Sequence, residues 1–194
     1  MINKFLLIIA AFFVFSVNLM AESDDDKLET ATFAAGCFWC IQAPYDNLKG
    51  IISTSVGFSG GKEKNPKYKD VAYGRTTHTE AIHVMFNPAK VSYREILEVF
   101  LKNHDPYDGD GQFCDRGRHY RPAIFYHNAT QKKLAEEGLK SLDNPEKVRT
   151  EIVKYEKFYP ADDGHQKYYQ KNPLRYKAYR YGCGRDKRLE EINS

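Results

Sequence analysis

Leu28-Glu29-Thr30-Ala31-Thr32-Phe33-Ala34-Ala35-Gly36-Cys37-Phe38-Trp39-Cys40 joins a short β-type run to a segment in which Phe38, Ile41, Tyr45 and Leu48 recur at helical spacing. A cysteine at such a junction sits among unpaired backbone N–H groups and the positive end of a helix dipole, a setting that favours thiolate over thiol. Gly36 permits a sharp turn, and Phe38 with Trp39, the only tryptophan of the chain, sets a large apolar surface beside the sulfur. A bare C-x-x-C is a weak signal, equally compatible with a small disulfide or a buried thiol among core aromatics.

Working outward, the first helix is expected to end at Gly50, with Pro44 an awkward member because it cannot bond to the Cys40 carbonyl. Ile51 to Phe58 reads as a second strand closed by Gly60-Gly61, and Lys62 to Thr79 as a long polar loop. Glu80 to Phe86 alternates as a third strand. Ser92-Tyr93-Arg94-Glu95 is a capping box, followed by the apolar stripe Ile96, Leu97, Phe100, Leu101. After an irregular stretch, Asp105 to Tyr120, come a strand from Ala123 to His127 and a helix that starts at Asn128, with Leu134, Ala135, Leu139 and Leu142 apolar. Asn128-Ala129-Thr130 is also a glycosylation sequon, but capping accounts for the asparagine. Thr150 to Tyr155 adds a strand, and the Tyr-rich tail from Phe158 reads as irregular with a short helix near His165 to Lys171. The order β-α-β-β-α-β predicts an α+β fold, a ferredoxin-like split βαβ two-layer sandwich with an added helix and strand, long irregular loops and a C-terminal tail.

The 194 residues fit one domain once the start is set aside. Lys4, the apolar run Phe5 to Val17 and then Asn18-Leu19-Met20-Ala21 describe a secretory signal peptide over residues 1–21; Leu19 stands where a small residue is expected, which leaves retention as an anchor the alternative to cleavage. Residues 22–27 form an acidic, flexible leader, and 28–194 the single catalytic domain. Export predicts an extracytoplasmic location, periplasmic or secreted, with no stable membrane association after cleavage. The net charge of +3 is spread over both signs, so no nucleic-acid surface is expected, and a monomer is. Only one close cysteine pair exists among Cys37, Cys40, Cys114 and Cys183, which argues against zinc. With aromatics at 14% the core needs no stapling, so redox chemistry is the economical use of these thiols.

The two long loops hold the polar residues without an obvious structural use: Tyr68, His78 and Glu80 in one, Asp115, His119 and Tyr120 in the other. A glutamate at the mouth of a strand near aromatics keeps its proton through desolvation and suits a general acid. Tyrosine hydroxyls beside it would donate to an oxygen gaining negative charge.

Taken together, Gly36-Cys37-Phe38-Trp39, Gly57-Phe58-Ser59-Gly60-Gly61, Asn65-Pro66-Lys67-Tyr68, His78-Thr79-Glu80-Ala81, Asn103-His104-Asp105-Pro106 and Gly111-Gln112-Phe113-Cys114-Asp115-Arg116-Gly117 with Tyr120-Arg121 resemble the peptide methionine-(S)-S-oxide reductase family. Phe158-Tyr159-Pro160-Ala161-Asp162-Asp163-Gly164-His165-Gln166, Tyr169, Asn172-Pro173 and Cys183-Gly184-Arg185-Asp186 continue the resemblance, which runs from about Ala31 to Arg188 with the blocks in family order. It implies that Cys37 attacks the sulfoxide sulfur and becomes a sulfenic acid, and that Phe38 and Trp39 hold the substrate methyl group. It further implies that Glu80 protonates the oxygen, Tyr68 and Tyr120 hydrogen-bond to it, and Asp115 positions substrate or water. A second cysteine would then form a disulfide, recycled by a thioredoxin-like dithiol, with no bound cofactor and no metal. Expected partners are therefore oxidised proteins or peptides and that reductant.

The chain departs from many members at Cys40 (Gly elsewhere), at Thr77-His78-Thr79-Glu80 (Gly-His-Ala-Glu) and at Gln42 (Glu). The threonines and Gln42 leave the acid in place. Cys40 leaves the resolving thiol open between itself and Cys183, with Cys183 preferred as the exposed tail position that the family often uses and Cys114 behind both. A thioredoxin-like oxidoreductase built on Cys37 and Cys40 would need a proline facing the pair, and the sequence offers no convincing one. A secreted binding domain with two structural disulfides would need Cys37 to be unreactive.

Overall fold

The computed structural model describes residues 27–194, so the expected signal peptide and all of the acidic leader but Lys27 lie outside the described residues. The order of elements follows the sequence closely at first: β1 (Glu29–Ala34), α1 (Phe38–Asp46), β2 (Ile51–Ser59), α2 (Tyr68–Ala72), β3 (Thr79–Phe86) and α3 (Tyr93–Leu101). Next come the two-residue strands β4 (Gly111–Gln112) and β5 (Asp115–Arg116), β6 (Ala123–Tyr126), α4 (Ala129–Lys140) and β7 (Glu151–Lys154). The chain closes with β8 (Phe158–Pro160), α5 (Tyr168–Lys171), α6 (Pro173–Gly182) and α7 (Arg185–Asn193).

The main sheet has the order β7-β6-β1-β3-β2-β8. Its four central strands, all antiparallel neighbours, are the split βαβ sandwich that the sequence order predicts, and β7 joins β6 in parallel to make the sheet mixed. Strand alternation sends Phe33, Ile82, Val84, Phe86 and Ile124 to one face, where Ile41 and Tyr45 of α1 and Ile96 and Phe100 of α3 cover them. The capping box forms as written: Ser92 Oγ accepts the Glu95 N–H at 3.2 Å and Glu95 Oε2 accepts the Ser92 N–H at 2.8 Å. Asn128 caps α4 by accepting the Gln131 N–H at 2.9 Å.

Four stretches differ from expectation, the last of them the tail. Helix α1 stops at Asp46 rather than Gly50, whose φ of +92° turns the chain into β2 instead. Pro44 lies within the helix and has no N–H for the Cys40 carbonyl; Arg180 Nη1 donates to that carbonyl at 3.4 Å. The expected polar loop carries α2, and the stretch 105–120 folds into the β4–β5 hairpin and a 3-10 turn, Arg118–Tyr120.

The tail is not irregular but mostly helical. No residue of α6 is buried, and α7 buries only Arg185 and Leu189, so neither shows the apolar stripe by which a helix is read from sequence. A disulfide between Cys114 and Cys183 ties the hairpin to the α6–α7 junction.

Candidate active site

Cys37 is the residue immediately before α1, 6% exposed, and Cys40 lies one turn on, 1% exposed. Gly36 makes the bend with φ +77°, and a Cβ there would stand 2.5 Å from Gln112 Cβ, so only glycine fits. Gln112 is itself buried and bridges the main chain of Asp105, accepting from its N–H at 2.7 Å and donating to its carbonyl at 2.8 Å. The strand-to-helix turn and the loop bearing Cys114 and Asp115 are thus packed directly on one another.

Glu80 reaches the same point from β3. Its Oε2 accepts the Phe38 N–H at 3.0 Å, within the first turn of α1. Burial pushes its carboxyl up to about 8; the Phe38 bond pulls the other way, and Asp115 adds to the rise. Glu80 therefore holds its proton at neutral pH. The start of β3 is pinned by Thr79 Oγ1, which donates to the carbonyl of His119 at 3.1 Å and so carries the Arg118–Tyr120 turn to Glu80. Tyr68 is half-buried at the first position of α2, and burial raises its phenol to about 12. Burial also raises Tyr120, which feels Glu80, Cys37, Asp115 and Tyr68 in turn. Both remain hydroxyl donors.

The thiols depart from expectation. Burial, then a hydrogen bond with Cys40, then the charge of Glu80 push Cys37 well up. The N–H of Phe38 that would have faced a thiolate is taken by Glu80, so the helix start holds a carboxyl as well as a sulfur. The hydrogen bond from Cys37 lowers Cys40 to about 7, with Arg185 and Arg180 assisting against burial. The first proton lost therefore belongs to the pair.

An aromatic wall completes the cleft. Phe38 is fully buried, its ring 6.3 Å from Tyr68 and 5.5 Å from His165. Trp39, partly exposed, stacks on Tyr168 at 3.9 Å and donates from Nε1 to His165 Nδ1 at 3.1 Å, which leaves the His165 proton on Nε2. Tyr68 and His165 meet at 4.0 Å with their rings tilted and line an open cavity of about 650 Å³ with Lys67, Lys69 and Asp162. Gln166 holds this segment by pairing with the main chain of Val56 in both directions, at 2.9 and 2.8 Å.

Cys37, Glu80, Asp115, Tyr68 and Tyr120 thus lie within electrostatic reach of one another, with Phe38 and Trp39 packed beside Tyr68 and His165. Asp115 is partly buried, its carboxyl raised by that burial, and it accepts the Tyr179 hydroxyl at 2.5 Å. Cys183 is bonded to Cys114, with its sulfur 3.9 Å from Asp115 Oδ2, whereas Cys40 is a free thiol beside Cys37. Cys114, Asp115 and Cys183 are the three-ligand cluster that could approach a metal among the described residues, but the two sulfurs are joined to each other. His78 serves the loop, accepting from Gly61 N–H at 3.2 Å, and Gln42 joins Thr54 and Lys167.

Sequence reasoning passed over His165, Tyr179, Arg180 and Arg185. All lie in the tail; His165, between Gly164 and Gln166, and Arg185, after Cys183-Gly184, belong to its motif blocks, which was the available signal.

The sequence model of the peptide methionine sulfoxide reductase family matches residues 29–194. The chain is 43% identical over 88% of its length to "Peptide methionine sulfoxide reductase MsrA/MsrB" of Vibrio cholerae, of which it spans 46%. It is 46% identical over 82% of its length to "Peptide methionine sulfoxide reductase MsrA" of Listeria monocytogenes, spanning 93% of that protein. Methionine sulfoxide reductase A of Corynebacterium diphtheriae superposes with a TM-score of 0.70 at 33% identity, over 76% of each chain. Reduced Mxr1 of Saccharomyces cerevisiae gives 0.70 at 32%, over 76% of this chain and 87% of that one, and Mxr1 in complex with Trx2 gives 0.50 at 25%, over 73% and 85%. With the family model spanning every element from β1 onward and relatives well above 30% identity, the chain belongs to the peptide methionine sulfoxide reductase family.

Proposed function

We propose that the chain reduces methionine-(S)-sulfoxide, in peptides and proteins and as the free amino acid, with Cys37 as nucleophile. The observation that carries this reading is the buried Glu80 carboxyl, still protonated at neutral pH and anchored on the Phe38 N–H beside the sulfur. The Cys37 sulfur bonds to the sulfoxide sulfur as Glu80 gives its proton to the oxygen, with Tyr68 and Tyr120 donating to that oxygen. The hydroxyl then passes to Cys37 as the substrate sulfur–oxygen bond and the new sulfur–sulfur bond both break: Cys37 is left as a sulfenic acid, and methionine leaves with the electron pair of the sulfur–sulfur bond. Phe38 and the open edge of Trp39 contain the methyl group, and Asp115, held by Tyr179, positions substrate or water.

Cys40 is the better placed resolving thiol. It is free and already bonded to Cys37 by hydrogen, whereas Cys183 is joined to Cys114. Its sulfur displaces the hydroxyl of the sulfenic acid, which leaves as water, and the Cys37–Cys40 disulfide takes two electrons from an external dithiol. A thioredoxin-type donor is supported by the capture of Mxr1 with Trx2. The apolar run behind Lys4 supports export of a monomer that acts outside the cytoplasm in protein repair under oxidative stress, without stable membrane association; the N-terminal sequence of the mature protein tests the cleavage.

The decisive assay supplies the two sulfoxide epimers separately. Only the S form should be consumed, and a Cys37→Ser variant that kept the wild-type rate would sink the reading.

A further inference from the structure

We propose that the cavity beside Tyr68 and His165 receives the residue next to the oxidised methionine of a peptide, and that Lys67 and Lys69 make an acidic side chain its preferred occupant. The proposal rests on the reading that the sulfoxide is reduced at Cys37, and it names the class of substrate which that site selects.

The first observation is position. Tyr68 and His165 both pack against Phe38, at 6.3 and 5.5 Å between ring centres, and both line the cavity. The Tyr68 phenol, raised by burial and then by Glu80 and Cys37, lies within reach of the reacting groups. The same two rings therefore border the reacting groups and the cavity alike, and a peptide that brings a sulfoxide to Cys37 has this space beside it. At about 650 Å³ the cavity falls within the roughly 300–1,000 Å³ of ligand pockets, enough for a side chain with its main chain. Phe58, Pro66, Pro160 and Ala161 supply its apolar lining.

The second observation is charge. The lining holds the cations Lys67, Lys69 and Arg75 against the carboxylates Asp70 and Asp162. Arg75 is paired with Asp70 at 3.7 Å, whereas neither lysine has a carboxylate within ion-pair distance among the described residues. Asp162 is then the one carboxylate of the lining left to oppose two ammonium groups. The lysines flank Tyr68 in the chain, and their main chain is fixed: the Lys67 carbonyl accepts the Val71 N–H at 3.2 Å and the Lys69 carbonyl the Tyr73 N–H at 3.1 Å. Their charge is thus delivered at a set place relative to the phenol that serves the sulfoxide oxygen.

The third observation is a spare donor. His165 Nδ1 accepts from Trp39, so its proton is on Nε2, and that N–H has no acceptor among the described residues. A neutral donor whose ring is held by Trp39 suits a peptide carbonyl, while the lysines suit a carboxylate. Because Lys67 and Lys69 are exposed, their pull on an acidic side chain is modest and screened by salt, which sets the size of the effect to be sought.

The test supplies short blocked, amidated peptides with one methionine-(S)-sulfoxide flanked on both sides by Asp, Asn or Lys. In the wild type kcat/KM should fall from Asp to Asn to Lys by about threefold at each step in low salt, and the spread should shrink at about 0.5 M salt. With Lys67→Glu and Lys69→Glu together the order should reverse, and with Lys67→Met and Lys69→Met it should flatten. Ratios between peptides within one enzyme cancel any loss common to all of them. The same reversal on α4, Lys132→Glu with Lys133→Glu, should leave the order in place; a reversal there as well assigns it to overall charge and overturns the proposal. So does an order that is absent from the wild type or persists in both cavity variants. If the cavity variants shift only the ratio between free methionine sulfoxide and its amide, the substrate's own carboxylate occupies the cavity and the assignment to a neighbouring residue fails. Fluorescence of Trp39, the only tryptophan, follows binding without turnover: with unoxidised methionine the Asp peptide should bind about tenfold tighter than the Lys peptide, and equal affinities overturn the proposal. Failure of the wild type to reduce any sulfoxide would reject the functional reading, while this titration would still decide on the cavity.

Discussion

The two cysteine pairs are made of the same atoms and behave oppositely. Cys37 and Cys40 stand one helical turn apart, buried and reduced, at a helix start where Glu80 takes the Phe38 N–H and two arginines hold the flanking main-chain carbonyls of Ala35 and Cys40. Cys114 and Cys183 are separated by 69 residues, lie at the surface and are bonded to each other. The inner pair is held apart as thiols by a fold that surrounds it; the outer pair holds the fold, fastening the β4–β5 hairpin to the tail. Placement, not the cysteine itself, divides chemistry from bracing.

The sharpest way to break this division is to delete the inner sulfur. Cys37→Ser should lower turnover of methionine-S-sulfoxide by about a thousandfold or more, whereas Cys114→Ser should still release methionine in a first turnover, read by single-turnover chromatography. Equal losses in both would erase the distinction.

Glu80→Gln comes next, with a fall in kcat of about a hundredfold or more. The wild-type rate should decline as pH rises through about 8, where the acid loses its proton, and the variant should lack that limb. The sign for stability follows. Folding raises Glu80 from 4.5 to about 8, so its contribution is fully present below 4.5 and lost as pH rises through 8. Thermal melts should therefore show Glu80→Gln gaining on the wild type at alkaline pH and matching it most closely in acid.

Opening the outer pair should act on stability instead. Cys183→Ser should cost about 2–4 kcal/mol in denaturant unfolding, because a long loop is no longer closed in the unfolded chain. The smallest effect is expected at Tyr179, the hydroxyl between the two pairs. Tyr179→Phe removes the donor to Asp115 and should cost about 1 kcal/mol of transition-state binding, seen as a few-fold loss in kcat/KM.

Much of the inner region was legible in the sequence, and little of the outer. Strand alternation at Ile82, Val84 and Phe86, the Ser92–Glu95 box and the Asn128 cap are local signals, and each stands as read. Glu80 was readable as an acid because its position at a strand mouth beside aromatics implies desolvation. The tail was not, since Tyr176, Tyr179 and Arg180 form a helix that buries no residue fully and so shows no apolar period. Nor was the Cys114–Cys183 bond, because four cysteines admit three pairings and spacing does not choose among them. The thiolate was misplaced for a related reason: the dipole argument sees the start of α1, but not that Glu80, far along the chain, already occupies the Phe38 N–H.

Pro44 gives the inner pair a further property. A proline inside a helix forfeits one rung of the ladder, here at the Cys40 carbonyl, and that carbonyl is met by the long side chain of Arg180. Closing a sulfur–sulfur bond across this turn would otherwise strain a rigid peptide hydrogen bond. Here the contact that must follow the motion is a flexible guanidinium, so the reorganisation energy between the dithiol and disulfide forms falls on a side chain rather than on the backbone.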